Sequence, residues 1–483
     1  MPSGAPAEAP LNAGTGRPRL RWPLRILGWG LVFAAGALAL AGCLSLPRLV
    51  PDLERRPAPE VPLEGARGPL SAAQSKAVLA CKEGTGPDTG IFDEHLAREQ
   101  AIVLRPLTTG NRVRLLQDGP ATYQAMLEAI HVARDHINME TYILDDDDVG
   151  QRFAQALIDK RREGVQVNLI RDSVGTLGTP AAFFEQLSAN GVRVLEFNPA
   201  NPLESRGDWM LNQRDHRKLL IVDGRTAFLG GINISSVYSG GSARQGMQAR
   251  PTGSPAWRDT DLQLHGPAVA ELQLLFLATW ASQGGEPLDP ADYRPRPEVA
   301  GDEVVRVIAS SPEEPFSLIY ATLLSAIGSA RTSVQLTNAY FAPDPQLLRA
   351  LEAAAARGVD VTLILPSQTD SWLVLHAGRR YYERLLRAGV RIHERHGVVL
   401  HSKTALIDGV WATVGSTNLD WRSFLHNHEL NAVVLGVEFG RQVQAMFATD
   451  LAGSEAITLE QWSQRPLHLR LQEWFAGLWE YWL

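Results

Sequence analysis

After residue 100, the apolar positions of the chain alternate between two kinds of pattern. Stretches with helical spacing are followed by a glycine turn and by a short run rich in Val, Ile and Leu, as in 163–170 and 357–364. Short β-branched runs between helical stretches are typical of alternating strands and helices. The pattern therefore predicts an α/β fold in which each sheet is mixed, largely parallel and flanked by helices.

These patterns occur twice in the chain. Three blocks of the first copy return in the second at separations of 194 to 198 residues: 128–143 as 325–341, 163–170 as 357–364, and 190–197 as 388–395. A Pro- and Gly-rich stretch, 281–300, joins the two copies. The repeat predicts two pseudo-symmetric halves, 101–285 and 286–460.

A polar motif follows the third block of each copy. It reads His-x-Lys-x4-Asp and comprises His216, Lys218 and Asp223 in the first half and His401, Lys403 and Asp408 in the second. Six residues later each half carries Gly-x-x-Asn, ending at Asn233 and at Asn418. Only five of the 46 basic residues are Lys, and two of these five stand in the motifs. His and Lys two positions apart on a strand share one face.

The chemistry of these groups suits a phosphate. An ammonium and an amide bind nonbridging oxygens, and an imidazole stands beside them. Two such sets brought together by pseudo-twofold symmetry give one pocket, in which one neutral histidine attacks phosphorus and the other, protonated, donates to the leaving oxygen. The two imidazoles would titrate as a coupled pair. For the two asparagines, a role as plain turn residues is the alternative.

The duplicated motif resembles the signature HxK(x)4D(x)6GSxN of the phospholipase D superfamily, over about residues 101–460. Within that superfamily, the stretch GSTNLDWRSFLHNHELNAVVLG (415–436) is most similar to bacterial cardiolipin synthases. The resemblance implies two halves that share one central active site, so that one chain works as a pseudodimer. It also implies a covalent phosphatidyl-histidine intermediate, no metal or other cofactor, and transfer of the phosphatidyl group to an alcohol or to water.

The resemblance further implies roles for the motif residues. His216 is the nucleophile by family habit, and His401 is the acid and later the base, although the pseudosymmetry leaves this order open in the sequence. Asp223 and Asp408 are implied to brace the loop rather than to touch substrate.

The resemblance also implies an acidic residue behind each histidine. Glu429 fits this place in the second half and Asp259 in the first, with Asp261 as a close competitor. One departure from the pattern is Gly231, which stands where the second half keeps Ser416. This departure predicts one hydroxyl fewer for the phosphate in the first half.

The N-terminus has the layout of an export signal or a signal anchor, because four arginines between residues 17 and 25 precede the uncharged run 26–47. This run includes Leu-Ala-Gly-Cys at 40–43, which resembles a lipobox and predicts lipidation of Cys43. An uncleaved membrane anchor within 1–43 is the alternative. Both interpretations predict a membrane-anchored protein of a bacterial cell envelope, with its catalytic body on the periplasmic side. Residues 44–100 predict a tether with a short helix around 71–82.

Two other segments carry predictions. About 13 extra residues before His216, approximately 198–210, predict a loop that covers the site. In the C-terminal segment 461–483, five apolar residues recur at near-helical spacing: Trp474, Phe475, Leu478, Trp479 and Trp482. This spacing predicts a helix that either packs on the body or lies in a membrane interface.

The composition of the chain excludes several classes of function. The 483 residues carry a net charge of −7, which argues against a protein that coats nucleic acid, and the two cysteines cannot form a disulfide scaffold or a zinc ribbon. Together with the N-terminal signal, the resemblance implies a membrane-tethered, metal-independent phosphatidyltransferase that makes cardiolipin from phosphatidylglycerol and a second phospholipid. A hydrolytic phospholipase D is the nearest alternative, and a nuclease and a noncatalytic lipid-binding or scaffolding protein are the others.

Overall fold

The fold is built from alternating strands and helices, and it is described here from a computed structural model. The described residues are 48–51, 61–84, 89–201, 210, 212–241, 255–288, 293 and 295–483. The predicted signal or anchor region 1–43, with Cys43, lies outside these residues, as does most of the predicted covering loop. Residues from Leu49 to Leu483 belong to one unit, which contains both predicted halves.

The helices are, in chain order, α1 Ala72–Glu83, α2 Leu96–Val103, α3 Asp118–Val132, α4 Asp148–Arg162, α5 Ala181–Ala189, α6 Ala268–Ser282, α7 Leu318–Ser329, α8 Pro345–Ala356, α9 Trp372–Arg379, α10 Tyr382–Arg387, α11 Trp421–Leu425, α12 Val437–Ala452, α13 Leu459–Ser463 and α14 Leu467–Gly477. A π-helical turn spans Ile91–His95, and 3-10 turns span Ser236–Tyr238 and Glu480–Trp482. The strands are β1 Leu63–Gly65, β2 Gly68–Pro69, β3 Leu107–Gln117, β4 His136–Thr141, β5 Gln166–Asp172, β6 Arg193–Phe197, β7 Arg214–Asp215, β8 Lys218–Val222, β9 Thr226–Gly230, β10 Trp257–Arg258, β11 Thr260–His265, β12 Glu303–Ser310, β13 Ser333–Asn338, β14 Asp360–Pro366, β15 Arg391–Arg395, β16 Val399–Leu400, β17 Lys403–Ile407, β18 Trp411–Gly415, β19 Asn427–Leu435 and β20 Ser454–Ile457.

Each half arranges seven strands in the same spatial order. The order is β6, β5, β4, β8, β9, β11, β3 in the first half. It is β15, β14, β13, β17, β18, β19, β12 in the second. The last strands of the two orders, β3 and β12, pair antiparallel and join the halves into one sheet. The predicted α/β fold with two pseudo-symmetric halves is thereby confirmed.

The sheet is mixed, as expected, and its parallel pairing within each half is confined to three strands. Strands β4, β5 and β6 run parallel in the first half, and β13, β14 and β15 do so in the second. The motif strands β8 and β17 instead turn back tightly into β9 and β18. The pairs β8–β9 and β17–β18 are antiparallel because a turn of three residues is too short for a parallel crossover.

The hydrophobic core shows that the halves depend on each other. One apolar cluster lies between the sheet of the first half and its helices α3, α4 and α5. A second cluster combines Leu229 and Leu262 of the first half with Ala412 and Leu430 of the second, together with residues of α6 and α12. Since apolar burial is the main favourable contribution to folding, this shared cluster couples the two halves.

The segment 44–100 differs from the expected tether over its described part. Strand β1 pairs with β3 through Leu63 and Leu107, and the carboxylate of Glu99 on α2 lies 3.4 Å from the buried guanidinium of Arg306. The expected helix is present as α1. Leu63 and Ile91 are fully buried, and α2 buries Leu96, Ile102 and Val103. These apolar positions are divided between short elements, so the segment shows no sustained apolar period in the sequence.

The C-terminal helix α14 packs on α9 through one face only. Ala476 is fully buried in a small cluster with Ala342 and Ala377, whereas Trp474 and Trp479 are exposed. The two interpretations of this helix are therefore not exclusive, because one face packs and the other remains uncovered in the described chain. Within the described ranges, none of the helices combines the length and the apolar character needed to span a bilayer.

Candidate active site

The two histidines are held by short strands that pair across the halves. β7, just before His216, runs parallel to the start of β19, and the backbone N–H of His216 donates to the carbonyl oxygen of His428 at 3.0 Å. β16, just before His401, runs parallel to β10, and the N–H of His401 donates to the carbonyl of Arg258 at 2.7 Å. Each half thus fixes the backbone beside the other half's histidine.

The carboxylates are also paired across the halves, so the expected pairing of Glu429 with His401 and of Asp259 with His216 is wrong. Both carboxylate oxygens of Glu429, in the second half, lie 3.1 Å from Nδ1 of His216. Oδ2 of Asp259, in the first half, lies 2.6 Å from Nδ1 of His401. The competitor Asp261 instead accepts the N–H of Ile232 at 3.1 Å. Neither half alone contains a complete histidine and carboxylate pair.

Burial governs the protonation of the cluster. Both histidines are less than one-tenth exposed. Burial, followed by the charge of Lys218, lowers the pKa of His216 to about 4, whereas Glu429 acts in the opposite direction. Burial and the charge of Lys403 also lower the pKa of His401. Each imidazole is therefore neutral near pH 7 in the free protein, and Nδ1 faces the carboxylate while Nε2 remains available for chemistry.

The two motif lysines belong to one electrostatic cluster. Burial lowers the pKa of Lys218 to about 7 and that of Lys403 to about 8. The carboxylates Glu429 and Asp259 raise both values, although each carboxylate stands behind a different histidine. Each ammonium donates to the carbonyl oxygen of the histidine two residues before it. The motifs of both halves therefore share one buried region.

The motif aspartates support backbone rather than the histidines. Asp223 and Asp408 adopt left-handed conformations, with φ of 53° and 50°. The carboxylate of Asp223 accepts the backbone N–H groups of residues 134, 135 and 136, and that of Asp408 accepts those of residues 331, 332 and 333. These N–H groups stand at the starts of β4 and β13, so each aspartate ties its motif turn to a neighbouring strand.

The asparagines and the serine have unequal surroundings. Asn233 accepts the N–H of Ile143 at 3.1 Å and donates to the hydroxyl of Tyr238 at 3.0 Å. The buried Oδ1 of Asn418 has no hydrogen-bond partner within the described residues. The hydroxyl of Ser416 donates to Glu429. Asn418 therefore differs from Asn233 and Ser416, because its Oδ1 atom forms no hydrogen bond with other described residues.

The glycine in the first motif has a steric cause. A Cβ placed on Gly231 would lie 2.3 Å from Oδ1 of Asp259. In the second half the hydroxyl of Ser416 donates to Glu429. The expected difference in phosphate-binding hydroxyls between the halves stays a prediction.

Restoring the serine should impair the site. We expect Gly231→Ser to displace the Asp259 carboxylate, which leaves His401 without its partner and lowers the transfer rate by about tenfold or more. Ser416→Ala, which removes one hydrogen bond to Glu429 without a clash, is the matched control and should cost less. Steady-state rates of both purified variants test this order, and a fully active Gly231→Ser protein would contradict it.

Several aromatic side chains around the histidines were not predicted. The ring centroid of Tyr142 lies 5.0 Å from that of His216, and the ring of Tyr340 lies 6.2 Å from that of His401. These tyrosines end the blocks 128–143 and 325–341 at matching places, so the repeat contained a signal for them. Trp257, at 5.1 Å from His401, has no such signal. The hydroxyl of Tyr238, 3.3 Å from Nδ1 of His401, has none either.

Anion binding should depend on pH through the lysines. A lysine with a lowered pKa is cationic below that value and loses its charge as pH rises through it. We therefore expect the affinity for a phosphodiester inhibitor to fall as pH rises through about 7 to about 8, and to be at least about tenfold weaker at pH 9 than at pH 6. Inhibition constants across this range provide the measurement. A decline that starts only near the ordinary lysine value of 10.5 would contradict it.

The fold and the paired motifs define a protein of the phospholipase D-like class. The phosphatidylserine synthase of Haemophilus influenzae has the same fold, with a TM-score of 0.55 and 14% identity, and the match covers 77% of this chain and 95% of that one. The family described as "Cardiolipin synthase, PLD-like domain" matches residues 126–238 and 323–451.

Curated relatives narrow the class further. The chain is 35% identical over 371 residues to a cardiolipin synthase of Geobacillus kaustophilus, covering 76% of this chain and 72% of the relative. It is 37% identical over 363 residues to cardiolipin synthase 2 of Bacillus anthracis, covering 74% and 68%. The chain belongs to the cardiolipin synthase family.

Proposed function

We propose that this protein is a phosphatidyltransferase that makes cardiolipin from phosphatidylglycerol and a second phospholipid. The observation that carries the proposal is the single buried cluster in which each half's histidine is backed by the other half's carboxylate. This arrangement orients Nε2 of both imidazoles, and the exchange at phosphorus needs His216 neutral and His401 protonated. Asp259 already favours the protonated form of His401, and the negative charge of a bound phosphodiester adds to this effect. Membership of the cardiolipin synthase family supports the choice of substrates.

In the first step, Nε2 of His216 attacks the phosphorus of phosphatidylglycerol. The bond from phosphorus to the glycerol headgroup breaks, and the protonated His401 donates its Nε2 proton to the leaving glycerol oxygen and becomes neutral. In the second step, His401 takes the proton from a hydroxyl of the second lipid, whose oxygen attacks phosphorus and breaks the P–N bond. Cardiolipin leaves, and His216 returns to its neutral form.

The phosphate is held by cations in this scheme. Lys218 and Lys403 bind the nonbridging oxygens, and binding of the anion raises their pKa values so that both carry charge in the complex. Asn418 is a further ligand for these oxygens, because its buried carboxamide lacks an acceptor-side partner and can present its amide group after rotation about χ2. Asn233 does not bind the phosphate in this scheme; it positions Tyr238, whose hydroxyl contacts His401.

The N-terminus provides the membrane attachment in this proposal. Lipidation of Cys43, or an uncleaved anchor within 1–43, keeps the catalytic unit beside its lipid substrates on the periplasmic face. Incorporation of labelled palmitate into the wild-type protein but not into Cys43→Ser supports lipidation. Equal labelling of both proteins would contradict it and favour the anchor.

The products test the proposed activity. We expect the purified protein to convert phosphatidylglycerol vesicles into cardiolipin and free glycerol in equal amounts, with no loss of rate in EDTA. This balance follows because each transfer releases one glycerol and joins two lipids. Lipid chromatography with glycerol determination provides the measurement. Phosphatidic acid as the main product at high phosphatidylglycerol would instead identify a hydrolase.

A further inference from the structure

The C-terminus presents a continuous apolar face. We use the term aromatic face for the side chains on one side of α14 and the turn after it, namely Leu467, Leu471, Trp474, Phe475, Leu478, Trp479 and Trp482. Trp474 and Trp482 are 60% and 64% exposed, and the other five are also exposed. Exposed apolar patches of this kind on a soluble surface mark an interaction site.

The opposite side of the same helix is firmly attached. Glu473 is buried and receives hydrogen bonds from Arg465 at 2.9 Å and 2.7 Å. Ala476 is fully buried against α9. The helix is therefore oriented by its packing, and its aromatic face points outward as a consequence.

The aromatic face is joined to the catalytic loop of the second half. Helix α11 begins directly after Asp420, two residues beyond the motif asparagine. The N–H of Arg422 on this helix donates to the carbonyl oxygen of Leu483 at 2.8 Å, and the ring of Trp421 lies 5.6 Å from that of Tyr481. The C-terminus thus lies at the end of the sheet where the motifs stand.

A further exposed tryptophan, outside the aromatic face, lies at the same end. Trp372, the first residue of α9, is 45% exposed. Two residues earlier, Asp370 accepts a hydrogen bond of 2.5 Å from the hydroxyl of Tyr340, whose ring contacts His401. The side chains of Asp370 and Tyr340 therefore connect the start of α9, where Trp372 is exposed, to His401.

The first residues of the unit lie there as well. The backbone of Val50 exchanges two hydrogen bonds of 3.0 Å with the side chain of Gln346, at the start of α8. Helix α8 follows β13, whose last residue, Asn338, pairs with Lys403. Val50 therefore lies at the end of the sheet that holds the site.

We infer that the aromatic face and Trp372 dock on the surface of a phospholipid bilayer and orient the catalytic cluster towards it. Trp residues favour the interfacial layer of a membrane, and Leu and Phe favour its acyl region. The exposed His468 and Arg470 beside them suit anionic headgroups. The choice of a bilayer as the occupant rests on the proposed function, because that reaction takes both substrates from a membrane.

Quenching of fluorescence tests the contact directly. The full-length protein is reconstituted in vesicles of phosphatidylglycerol and phosphatidylcholine that carry bromine on the acyl chains. We compare it with Trp474→Phe/Trp479→Phe/Trp482→Phe, which keeps the face apolar and removes three of the 12 tryptophans. The bromolipid-quenched part of the emission should be clearly smaller in this variant. An equal quenched part of the emission in both proteins would overturn the inference. The aromatic face would then be covered by another copy of the chain or by another segment instead of by lipid.

Turnover on two forms of substrate tests the consequence. Leu467→Ser/Leu471→Ser should lower cardiolipin formation on vesicles by about tenfold and leave the rate in detergent micelles unchanged. The matched control is Leu104→Ser/Val299→Ser, which changes two exposed apolar residues just before β3 and β12, away from the site, and should keep both rates. Equal rates on vesicles would overturn the inference. Wild-type protein inactive on both substrates would refute the proposed function, while the quenching result would still decide the docking.

Discussion

His216→Ala should abolish cardiolipin formation, with a loss of about 10⁴-fold or more, because in the proposed mechanism it removes the atom that forms the covalent bond to phosphorus. His401→Ala should cost about 10²- to 10⁴-fold, the usual contribution of a general acid and base. Glu429 keeps hydrogen bonds from Ser416 and Asn427 when His216 is truncated, so the fold should persist. Rates of cardiolipin formation measure both losses.

A substrate with an activated leaving group separates the two roles. p-Nitrophenolate is a stable anion that leaves phosphorus without being protonated. With the phosphatidyl ester of p-nitrophenol as substrate, the first step therefore does not need the general acid His401. We expect a burst of nitrophenol, close to one equivalent, from His401→Ala and none from His216→Ala. The reverse result would assign the nucleophile to His401. His396→Ala, which changes an exposed histidine paired with Glu455, is the control and should keep full activity.

Asp450→Asn should produce the largest loss of stability among the substitutions considered. Asp450 on α12 lies in the second half and binds Arg258 of the first half through two hydrogen bonds of 2.9 Å, with both side chains almost fully buried. An amide at this position removes the closer of two buried counter-charges, because the carboxylate of Asp118 remains 3.4 Å from the guanidinium. The expected cost is about 3–5 kcal/mol.

The same substitution should also reach the active site. Arg258 accepts the backbone N–H of His401 through its carbonyl oxygen and precedes Asp259, so movement of Arg258 disturbs both contacts of that histidine. Chemical unfolding of wild type and variant provides the measurement. Glu438→Gln, which weakens an exposed ion pair with Arg441, is the control, and about 0–1 kcal/mol is expected there. Equal losses in the two variants would show that the buried pair does not join the halves.

The repeat and the motifs were readable in the sequence because each depends on local pattern. Strands and helices produce a periodic pattern of apolar residues in the sequence. The chemistry of His216, Lys218, His401 and Lys403 is recognisable from their spacing alone. The structure brings all four into one buried cluster. The tyrosines Tyr142 and Tyr340 could also have been found by following the repeat to its ends.

The remaining features depend on contacts between residues distant in the chain. Spacing alone does not show that Glu429 stands behind His216, 213 positions away, while Asp259 stands behind His401. Spacing alone also does not explain why glycine stands at position 231, because the reason is the position of a carboxylate 28 residues later in the chain.

The sequence by itself determined the fold class, the two halves and the paired motifs, because repeat, period and motif are properties of neighbouring residues. Only the tertiary structure decided which carboxylate backs which histidine, that residues 61–84 and 89–100 belong to the folded unit, and that α14 packs on one face and leaves the other open. These features follow from the packing of the halves against each other, and contacts between distant segments leave no periodic trace in the chain.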